Sequence, residues 1–402
     1  MAEWQTVRLG EIVKTNQSTY SPKENWQFVN YLDTGNITMN KIDEIQNINT
    51  AKDKLPSRAR RKVKTNSIIY STVRPNQLHY GIIKNQPDNF LVSTGFTVID
   101  VNYDKAVPDF IYYALTKQEV TEQLQAIAEQ SVSAYPSLKP SDIENLELMI
   151  PDKKTQERIV VILRSIDEKI KENNAINNNL EQQAQAIFKS WFVDFDPFGG
   201  NRPIDWITGI VDDLGAEIIC GKTPSTKKKE YYGGNTPFIT IPDMHGCVYN
   251  VSTERYLSAA GVASQPKKTL PHNTVCISCI GTAGLVTLVS EKSQSNQQIN
   301  SIIPKEGISA YYIYLLMQTL SETINKLGQS GSTIVNLNKT QFGKIPVTIP
   351  SEQVLCNFDT LCKPLFEMIL SNQKENIKLA NLRDTLLPKL MSGELDVSDI
   401  DL

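Results

Sequence analysis

One stretch, residues 155–195, constrains the fold of this chain more than any other. It reads TQERIVVILRSIDEKIKENNAINNNLEQQAQAIFKSWFVDF and contains neither glycine nor proline. Alternating steps of three and four residues give a heptad seam that is apolar at both ends, with Asn173 and Asn177 in its middle. Thr155 has the residue type of an N-cap. A helix of this length reaches roughly 55 Å, and its seam requires a partner helix.

The partner is a second copy of the same pattern, 199 residues further along the chain. Residues 131–151 read SVSAYPSLKPSDIENLELMIP, and residues 330–350 read SGSTIVNLNKTQFGKIPVTIP. The same offset aligns the long helix with the C-terminal part of the chain. There Asn372 and Asn376 repeat the asparagine pair at the same heptad positions. Internal self-similarity of this kind indicates a repeated architecture.

The polar seam positions predict how the two helices pair. Buried seam asparagines are satisfied only opposite one another, so we expect Asn173 beside Asn376 and Asn177 beside Asn372. This arrangement requires antiparallel helices, as does a tandem repeat that closes on itself with two-fold pseudosymmetry.

The antiparallel register also sets Arg383 opposite the apolar Ile166, a mismatch unless the arginine extends outward. Stretches rich in β-forming residues, punctuated by Pro and Gly, precede each long helix. The predicted fold class is therefore α+β, with two globular units of mixed α/β content and two long antiparallel coiled-coil helices in a pseudo-two-fold repeat. The predicted segments are 1–152 and 198–350 for the globular units, and 153–197 and 351–402 for the helices with the C-terminal tail.

Composition narrows the class of protein. The net charge of −3 does not indicate nucleic-acid binding, although local charged patches rather than the global charge decide binding. No apolar run approaches 18 residues and no targeting segment is recognisable at the N-terminus, so we expect a cytoplasmic protein. Cys276 and Cys279 form a lone CxxC near His272, which we interpret as buried reduced thiols rather than a metal site.

Basic and amide side chains cluster in both globular units. Lys and Arg suit phosphate contacts, whereas Arg, Asn and Gln have the fork geometry to read base edges. The candidate DNA-binding residues of the first unit are Arg58, Arg60, Arg61, Lys62, Lys64, Arg74, Asn76, Gln77 and His79. Those of the second unit are Lys222, Thr223, Ser225, Thr226, Lys227, Lys228, Thr282, Asn296 and Gln297, with His245, Lys267 and Lys268 on residue type and position alone. The alternative is a set of ordinary solvated loops.

No catalytic constellation is recognisable. The segment from Gly215 to Thr223 resembles a nucleotide-binding phosphate loop, but five residues rather than four separate Gly215 from Gly221, and Pro224 interrupts the helix start that such a loop requires. With three histidines in the chain, no nucleophile–base pair suggests itself. We therefore predict no catalytic residues and no metal ligands.

The chain resembles the specificity subunits of type I restriction–modification systems over nearly its whole length. Two motifs resemble the conserved helical regions of that family: AQAIFKSWFVDFDP at 184–197 and LLPKLMSGELDVS at 386–398. Others resemble motifs of its target recognition domains: PSRARRKVK at 56–64, IIYSTVRPN at 68–76, STGFTV at 93–98 and GKTPSTK at 221–227.

The resemblance implies a non-catalytic subunit with two target recognition domains, each of which reads one half of a bipartite asymmetric site in double-stranded DNA. It implies two modification subunits that methylate adenine and two restriction subunits that act as motor and nuclease. This chain would then bind no cofactor, because S-adenosylmethionine, ATP and Mg²⁺ belong to the partners.

Apolar residues outside the heptad seam widen the apolar face of the first long helix. We expect them either to dock the modification subunits or to pack on the neighbouring globular units. These residues are Ile162, Ile176, Phe188 and Phe192. Two other functions remain open at this stage. One is a coiled-coil scaffold or adaptor whose paired heads bind ligands other than DNA, and the other is an enzyme with a degenerate nucleotide site at Gly215–Thr223.

Overall fold

A computed structural model describes residues 4–131, 135–329, 335–398 and 400. The chain forms two compact units: Met1–Glu168 with Leu379–Leu402, and Lys169–Lys378. The start of the second repeat segment, residues 330–334, lies outside the described residues, as do residues 132–134 of the first. In the part of the chain that is described, no helix is both long and apolar enough to cross a membrane.

The first unit is built on small sheets covered by short helices. In chain order its strands β1–β12 are Gln5–Arg8, Val13–Thr15, Phe28–Leu32, Ile37–Thr38, Lys41–Ile42, Gln46–Asn49, Ala59–Lys62, Ile68–Ser71, Tyr80–Ile82, Phe90–Ser93, Phe96–Val101 and Glu147–Ile150. Its short helices are α1 (Pro108–Leu115), α2 (Gln118–Glu129) and α3 (Pro140–Glu144). The strand orders are β6-β3-β10-β7 and β2-β11-β8-β9, with β1 paired to β12 and β4 to β5.

The first long helix, α4, spans Lys153–Phe192 and passes from the first unit into the second. The N-cap prediction at Thr155 is wrong by one turn, because the Asp152 carboxylate caps the helix. Its Oδ1 accepts from the Thr155 backbone N–H at 3.1 Å and its Oδ2 from the Thr155 hydroxyl at 2.7 Å. The hydrogen bond from that hydroxyl lowers the pKa of Asp152 despite slight desolvation. The helix ends before Phe195, whose left-handed φ of 58° breaks it.

The second unit repeats the plan of the first. Its strands β13–β22 are Ile207–Ile210, Gly215–Cys220, Tyr232–Ile239, Tyr249–Asn250, Arg255–Leu257, Val275–Ser278, Val286–Val289, Gln294–Ser295, Ile299–Pro304 and Pro346–Ile349. Helices α5–α8 are Ala259–Ala263, Ala310–Thr319, Ser321–Gly328 and Lys339–Gly343, and the second long helix α9 is Glu352–Ser392. The strand orders are β14-β21-β18-β19-β16 and β17-β15-β20, with β13 paired to β22.

Strand pairing confirms the internal repeat. In the first unit Gln5 pairs with Ile150 in an antiparallel ladder, and in the second Ile207 pairs with Ile349. Ile150 on β12 and Ile349 on β22 are the two residues that the 199-residue sequence offset aligns. Two short helices also precede each repeat segment: α1 ends at the C-cap Thr116 before α2, and α6 ends at the C-cap Leu320 before α7.

Each unit has a core of its own to which both long helices contribute. In the first unit, Ile159 and Leu163 from the early turns of α4 are buried with Leu390 and Met391 from the late turns of α9. In the second unit, Ala184 and Phe188 from the late turns of α4 are buried with side chains from the early turns of α9, among them Phe358, Phe366 and Ile369. Early turns of one helix thus lie with late turns of the other, which confirms the antiparallel α+β fold.

The predicted asparagine pairs form. Asn173 Nδ2 donates to Asn376 Oδ1 and Asn372 Nδ2 donates to Asn177 Oδ1, each at 2.9 Å. Glu375 adds a further acceptor for Asn173 at 2.7 Å. Because these amides are nearly buried, the reciprocal bonds fix the helix register.

The expected mismatch at Arg383 is resolved by a carboxylate next to Ile166. The Arg383 guanidinium binds Asp167 at 2.9 Å, and Asp167 also accepts from the Tyr113 hydroxyl at 2.6 Å. Burial alone would lower the pKa of Arg383, but the hydrogen bond and charge of Asp167 raise it overall. Ile166 itself stays buried, so the arginine extends away from the apolar seam.

Candidate nucleic-acid interface

The basic run of the first unit lies along β7, an edge strand that pairs with β10. Ala59 is buried, whereas Arg58 is exposed. Two of the cations are paired across the unit: Lys62 binds Glu24, and Lys64 lies 3.6 Å from Asp100. Both carboxylates lie more than 30 residues from their lysines in the chain, so no spacing in the sequence pointed to these pairs. Arg58 therefore remains the most accessible cation of β7 and its N-terminal flank.

Lys62 is held from two sides. Besides binding Glu24, its ammonium lies 5.1 Å from the centroid of the Trp26 ring, within the range of a cation–π interaction. Arg60 Nε approaches the Ser57 carbonyl at 3.4 Å, and Arg61 is half-buried. The middle of the basic run is therefore held by contacts within the first unit. Its exposed cations, which are the candidates for phosphate contacts, lie at its ends, at Arg58 and Lys64.

The loop after β8 has an unusual backbone. Arg74 and Leu78, which flank a 3-10 turn at Pro75–Gln77, have φ values of 48° and 58°. Positive φ is uncommon for residues other than glycine, and such conformations concentrate at functional sites. The turn leaves the side chains of Asn76 and Gln77 exposed, as base reading requires.

Contacts to later parts of the chain hold this loop. The Arg74 guanidinium lies 5.1 Å from the centroid of the Tyr135 ring, and its backbone N–H donates to the Pro136 carbonyl at 3.1 Å. The Asn76 N–H donates to Gln125 Oε1 at 3.2 Å. His79 differs from its neighbours, since its Nδ1 lies 2.6 Å from the Ile37 carbonyl and its ring is half-buried. His79 therefore supports the loop in this conformation.

The two candidate segments of the first unit meet at the turn after β10. The Thr94 N–H donates to the Arg58 carbonyl, and the Thr72 N–H donates to the Gly95 carbonyl, each at 2.8 Å. Thr72 lies two residues before Arg74. The basic run and the Arg74 loop are therefore neighbours in space.

The second unit has an equivalent arrangement around β20. Strand β20 pairs in parallel with β15, as β10 does with β3, and Leu270 forms an antiparallel bridge with Ser293 just before β20. Lys267 and Lys268 lie in a 3-10 turn at Pro266–Lys268, shortly before that bridge. These lysines, predicted from residue type and position alone, therefore lie near the strand that corresponds to β10.

Three loops of the second unit converge beside β20. The Lys222 N–H donates to the Ser295 carbonyl at 2.9 Å, and the Thr223 hydroxyl donates to Gln297 Oε1 at 2.7 Å. Lys268 Nζ reaches the Cys220 carbonyl at 2.8 Å. Lys222 and Gln297 are exposed, so charge and amide groups are presented together.

Other candidates of the second unit border this cluster or stand apart from it. Asn296 is buried, and its amide forms hydrogen bonds at 3.0 Å with the Gln298 side chain and N–H, so it shapes the turn. Thr282 is exposed and follows Gly281, which lies near the Gln298 amide. Exposed residues also include Ser225, Thr226, Lys227 and Lys228, and His245 after the turn at Ile241–Met244.

The segment that resembled a phosphate loop has a different conformation. Gly215–Cys220 is strand β14, and residues 222–228 are turn and irregular backbone instead of the helix that a phosphate loop precedes. Gly221 is required for another reason: a Cβ atom there would lie 2.1 Å from the Asn296 carbonyl oxygen. The glycine therefore permits close packing against the turn after β20.

The lone CxxC is part of the core, as expected. Cys276 and Cys279 are buried, and burial raises the pKa of each thiol to about 12. His272 Nδ1 faces the Ser290 carbonyl at 3.0 Å. In the described ranges, no group of three or more His, Cys, Asp or Glu side chains is arranged to hold a metal ion.

The candidate partner-binding residues divide by exposure. Phe188 is 4% exposed and packs against Tyr312, with ring centroids 5.7 Å apart, which is the packing alternative that the sequence left open for this side chain. Phe192 packs against Phe358 at 5.0 Å and is half-buried, as is Ile162. Ile176, at 45% exposure, is the most accessible of the four.

Sequence reasoning missed two residues that organise the loops. Tyr135 stacks on Arg74 across 61 residues of chain, and no periodicity links the two positions. Gln265, 7% exposed, donates to the Lys222 carbonyl at 2.6 Å and to Gln294 Oε1 at 2.8 Å. A glutamine between Ser264 and Pro266 carries no signal of burial in the sequence.

Comparisons with known proteins agree with this geometry. The sequence matches the model of the type I restriction modification DNA specificity domain over residues 1–182 and again over residues 203–357. The HindI specificity subunit of Haemophilus influenzae is 35% identical over an alignment of 465 residues, which covers 98% of this chain and 100% of the relative. The MjaIX specificity subunit of Methanocaldococcus jannaschii is 25% identical over 313 residues, with coverage of 74% and 71%.

A solved structure supports the fold. The S subunit of a type I restriction–modification system from M. genitalium has a TM-score of 0.60 with this chain at 16% identity, covering 97% of this chain and 96% of that one. The family model matches both units of the repeat, and a relative is more than 30% identical over almost the whole chain. The chain therefore belongs to the family of type I restriction–modification specificity subunits.

Proposed function

We propose that each of the two units reads one half of a bipartite, asymmetric site in double-stranded DNA. The chain is a DNA-recognition subunit of a type I restriction–modification enzyme, and catalysis lies in the partner subunits. The half-site assignment is supported by the repeat, since each unit carries basic and amide loops next to equivalent strands, β10 and β20. Different polar side chains next to corresponding strands suit two different half-sites.

The single observation that carries this proposal is the convergence of candidate residues from distant segments in each unit. Arg58 and the Arg74 loop meet at Thr94 and Gly95, and Lys222, Lys268 and Gln297 meet beside β20. Lys and Arg suit phosphates and the fork-shaped side chains suit base edges, so one loop cluster combines positioning with readout. A scaffold that binds no DNA is not favoured, because both units match a DNA specificity domain.

The proposal extends to partners and cofactors. Two modification subunits would bind S-adenosylmethionine and methylate adenine, two restriction subunits would bind ATP and Mg²⁺, and this chain would bind none of these groups. The complex would work in the cytoplasm. Ile176, exposed on α4, supports docking of a modification subunit on the long helices.

The docking surface is testable with one exposed side chain. Ile176→Ser should reduce co-purification of the modification subunits without unfolding the chain, because the residue is not part of either core. Ile204→Ser is the matched control, since that isoleucine is fully exposed outside the long helices. Equal recovery of modification subunits with both variants would remove Ile176 from the interface.

A methylation map tests the half-site assignment. DNA from a host carrying the complete system should show adenine methylation at a bipartite motif with a fixed gap. Deleting residues 166–172 together with 377–383 keeps the paired asparagines and removes Asp167 and Arg383 together. Seven residues shorten a helix by about 10 Å, roughly three base pairs of duplex. The gap should shorten while both half-sites persist; altered half-sites would contradict the proposal.

A further inference from the structure

Thr223 and Gln297 lie 74 residues apart in the chain and meet at one point on the surface of the second unit. The Thr223 hydroxyl donates to Gln297 Oε1 at 2.7 Å. Gln297 is exposed, and Thr223 is half-buried. Within the described part of the chain, no acceptor is bonded to Gln297 Nε2. One end of the carboxamide is therefore held, while its donor end is presented to solvent.

The backbones that carry these two side chains are fixed to each other. The Lys222 N–H donates to the Ser295 carbonyl at 2.9 Å, and Cys220 Sγ lies 3.6 Å from the Gln297 carbonyl. Between them Gly221 packs so closely on Ser295 and Asn296 that a Cβ atom would lie within 2.5 Å of both carbonyl oxygens. The spacing between Thr223 and Gln297 is thus set by main-chain contacts.

Buried amides support the same two loops from below. Gln265 Nε2 donates to the Lys222 carbonyl at 2.6 Å and to Gln294 Oε1 at 2.8 Å, and Gln294 is fully buried. On the other side of Gln297, the Gln298 N–H donates to Asn296 Oδ1 at 3.0 Å. A carboxamide carried on such a support loses little conformational freedom when it binds, which favours specific recognition.

The free hydrogen-bonding capacity of Gln297 suits one base. A carboxamide pairs with adenine by accepting from N6 and donating to N7 in the major groove. A carbonyl oxygen has two lone pairs, so Oε1 can bind the Thr223 hydroxyl and the adenine N6 group together. The surrounding lysines, Lys222 and Lys267, are exposed and can hold the flanking phosphates.

We infer that Gln297 reads an adenine in the half-site of the second unit, and that Thr223 is the positioning residue which orients its amide. The inference rests on the proposed DNA-reading function and adds to it a residue pair and a base. Thr223 acts through Gln297, so removing its hydroxyl should weaken the preference for that adenine and leave the other bases of the half-site unaffected.

The test uses the full complex of this chain with its modification subunits. The wild-type methylation map first defines both half-sites, and binding is then measured on duplexes in which each adenine of the second half-site is replaced in turn by 7-deazaadenine. That analogue keeps base pairing but lacks the N7 acceptor. At one position the wild-type complex should lose at least about tenfold in affinity, since a bidentate contact contributes roughly tenfold or more.

Variants assign that position to the pair. Gln297→Ala should bind the native and 7-deazaadenine duplexes equally. Thr223→Val should discriminate between them less than wild type does, whereas Thr223→Ser, which keeps the hydroxyl, should behave as wild type. In the double variant Gln297→Ala/Thr223→Val, the discrimination between the two duplexes should be no lower than in Gln297→Ala alone. Thr319→Val, which removes an exposed hydroxyl that bonds within α6, is the matched control and should change nothing.

The outcomes separate this inference from the proposed function. If the wild-type complex methylates no bipartite site, the proposed function fails. If it does, but Gln297→Ala keeps every base preference of both half-sites, the inference is overturned and the proposed function stands. Loss of selectivity at several positions with Thr223→Val, or no rescue by Thr223→Ser, would likewise overturn the positioning role.

Discussion

Asn173 on α4 and Asn376 on α9 form a direct side-chain hydrogen bond of 2.9 Å within the second unit. One turn further along α4, Asn177 accepts from Asn372 at the same distance. These amides stand in a mostly apolar seam, where each finds its partner in one register only. Neighbouring side chains extend the network, since Asn376 Nδ2 donates to Asn174 Oδ1 at 2.9 Å.

Removing one partner of an asparagine pair should cost more than removing both. Asn372→Leu leaves Asn177 Oδ1 buried without its donor, a penalty of about 1–3 kcal/mol, which lowers the Tm by roughly 2–10 °C for a unit of this size. The double variant Asn177→Leu/Asn372→Leu should recover most of that loss, because two leucines suit an apolar seam. Calorimetry of the single and double variants measures the coupling, and additive losses would show that the pair does not act as a unit.

Replacing Gly221 should disrupt the loop cluster of the second unit. In Gly221→Ala the new methyl group would overlap the Asn296 and Ser295 carbonyl oxygens, at 2.1 Å and 2.5 Å, so the loop that carries Thr223 must move. We expect a Tm loss of roughly 2–10 °C, in line with overpacking costs of about 1–3 kcal/mol, and weaker DNA binding. Gly35→Ala, with no heavy atom within 4 Å of the new methyl, is the control. Wild-type DNA affinity in Gly221→Ala would argue against a role for this loop.

Phosphate contacts and base contacts should separate by their response to salt. The triple variant Lys222→Gln/Lys227→Gln/Lys267→Gln removes three exposed cations from the loops of the second unit. Each lost phosphate contact should reduce the slope of log affinity against log salt by about 0.9. Affinity should fall to a similar extent for sequences with and without the site. Lys326→Gln, an exposed lysine paired with Glu322 on α7, is the control and should leave the slope unchanged.

Elements with strong periodicity could be predicted from the sequence. The antiparallel pairing of the long helices follows from two asparagine pairs in phase, and both pairs form. Helix limits were less certain, since Asp152 and Thr155 are both suitable N-cap residues and only the geometry shows that Asp152 is the acceptor.

Long-range pairing could not be predicted in the same way. The counter-charges Glu24 and Asp100 and the contact between Thr223 and Gln297 join residues that lie dozens of positions apart in different loops. Residue type identified Thr223 and Gln297 as separate candidates, but no spacing rule connects two irregular segments. The burial of Phe188 was likewise invisible, because an apolar helix face looks the same whether its own domain or a partner covers it.

The half-buried carboxyl of Asp359 predicts a pH dependence with a defined sign. Desolvation raises the pKa of this group above its ordinary value, although the Ser309 hydroxyl and Lys363 oppose the shift. The folded state therefore holds this proton more tightly than the unfolded state, and the contribution to stability falls as pH rises from the unfolded pKa through the folded one. Asp359→Asn keeps an acceptor for Ser309 and cannot ionise, so it should unfold at a higher temperature than wild type near neutral pH.

The Asp152 cap provides a control of opposite sign. Its pKa is lowered by the Thr155 hydroxyl, so its contribution is present above the unfolded pKa and is lost as pH falls through the folded one. Calorimetry between about pH 3.5 and pH 7 should show the gain of Asp359→Asn over wild type growing with pH. Over the same range, the deficit of Asp152→Asn should grow with pH. A gain for Asp359→Asn that is constant across this range would mean that its effect is not electrostatic, because a neutral side chain differs from a titrating one only where the latter changes charge.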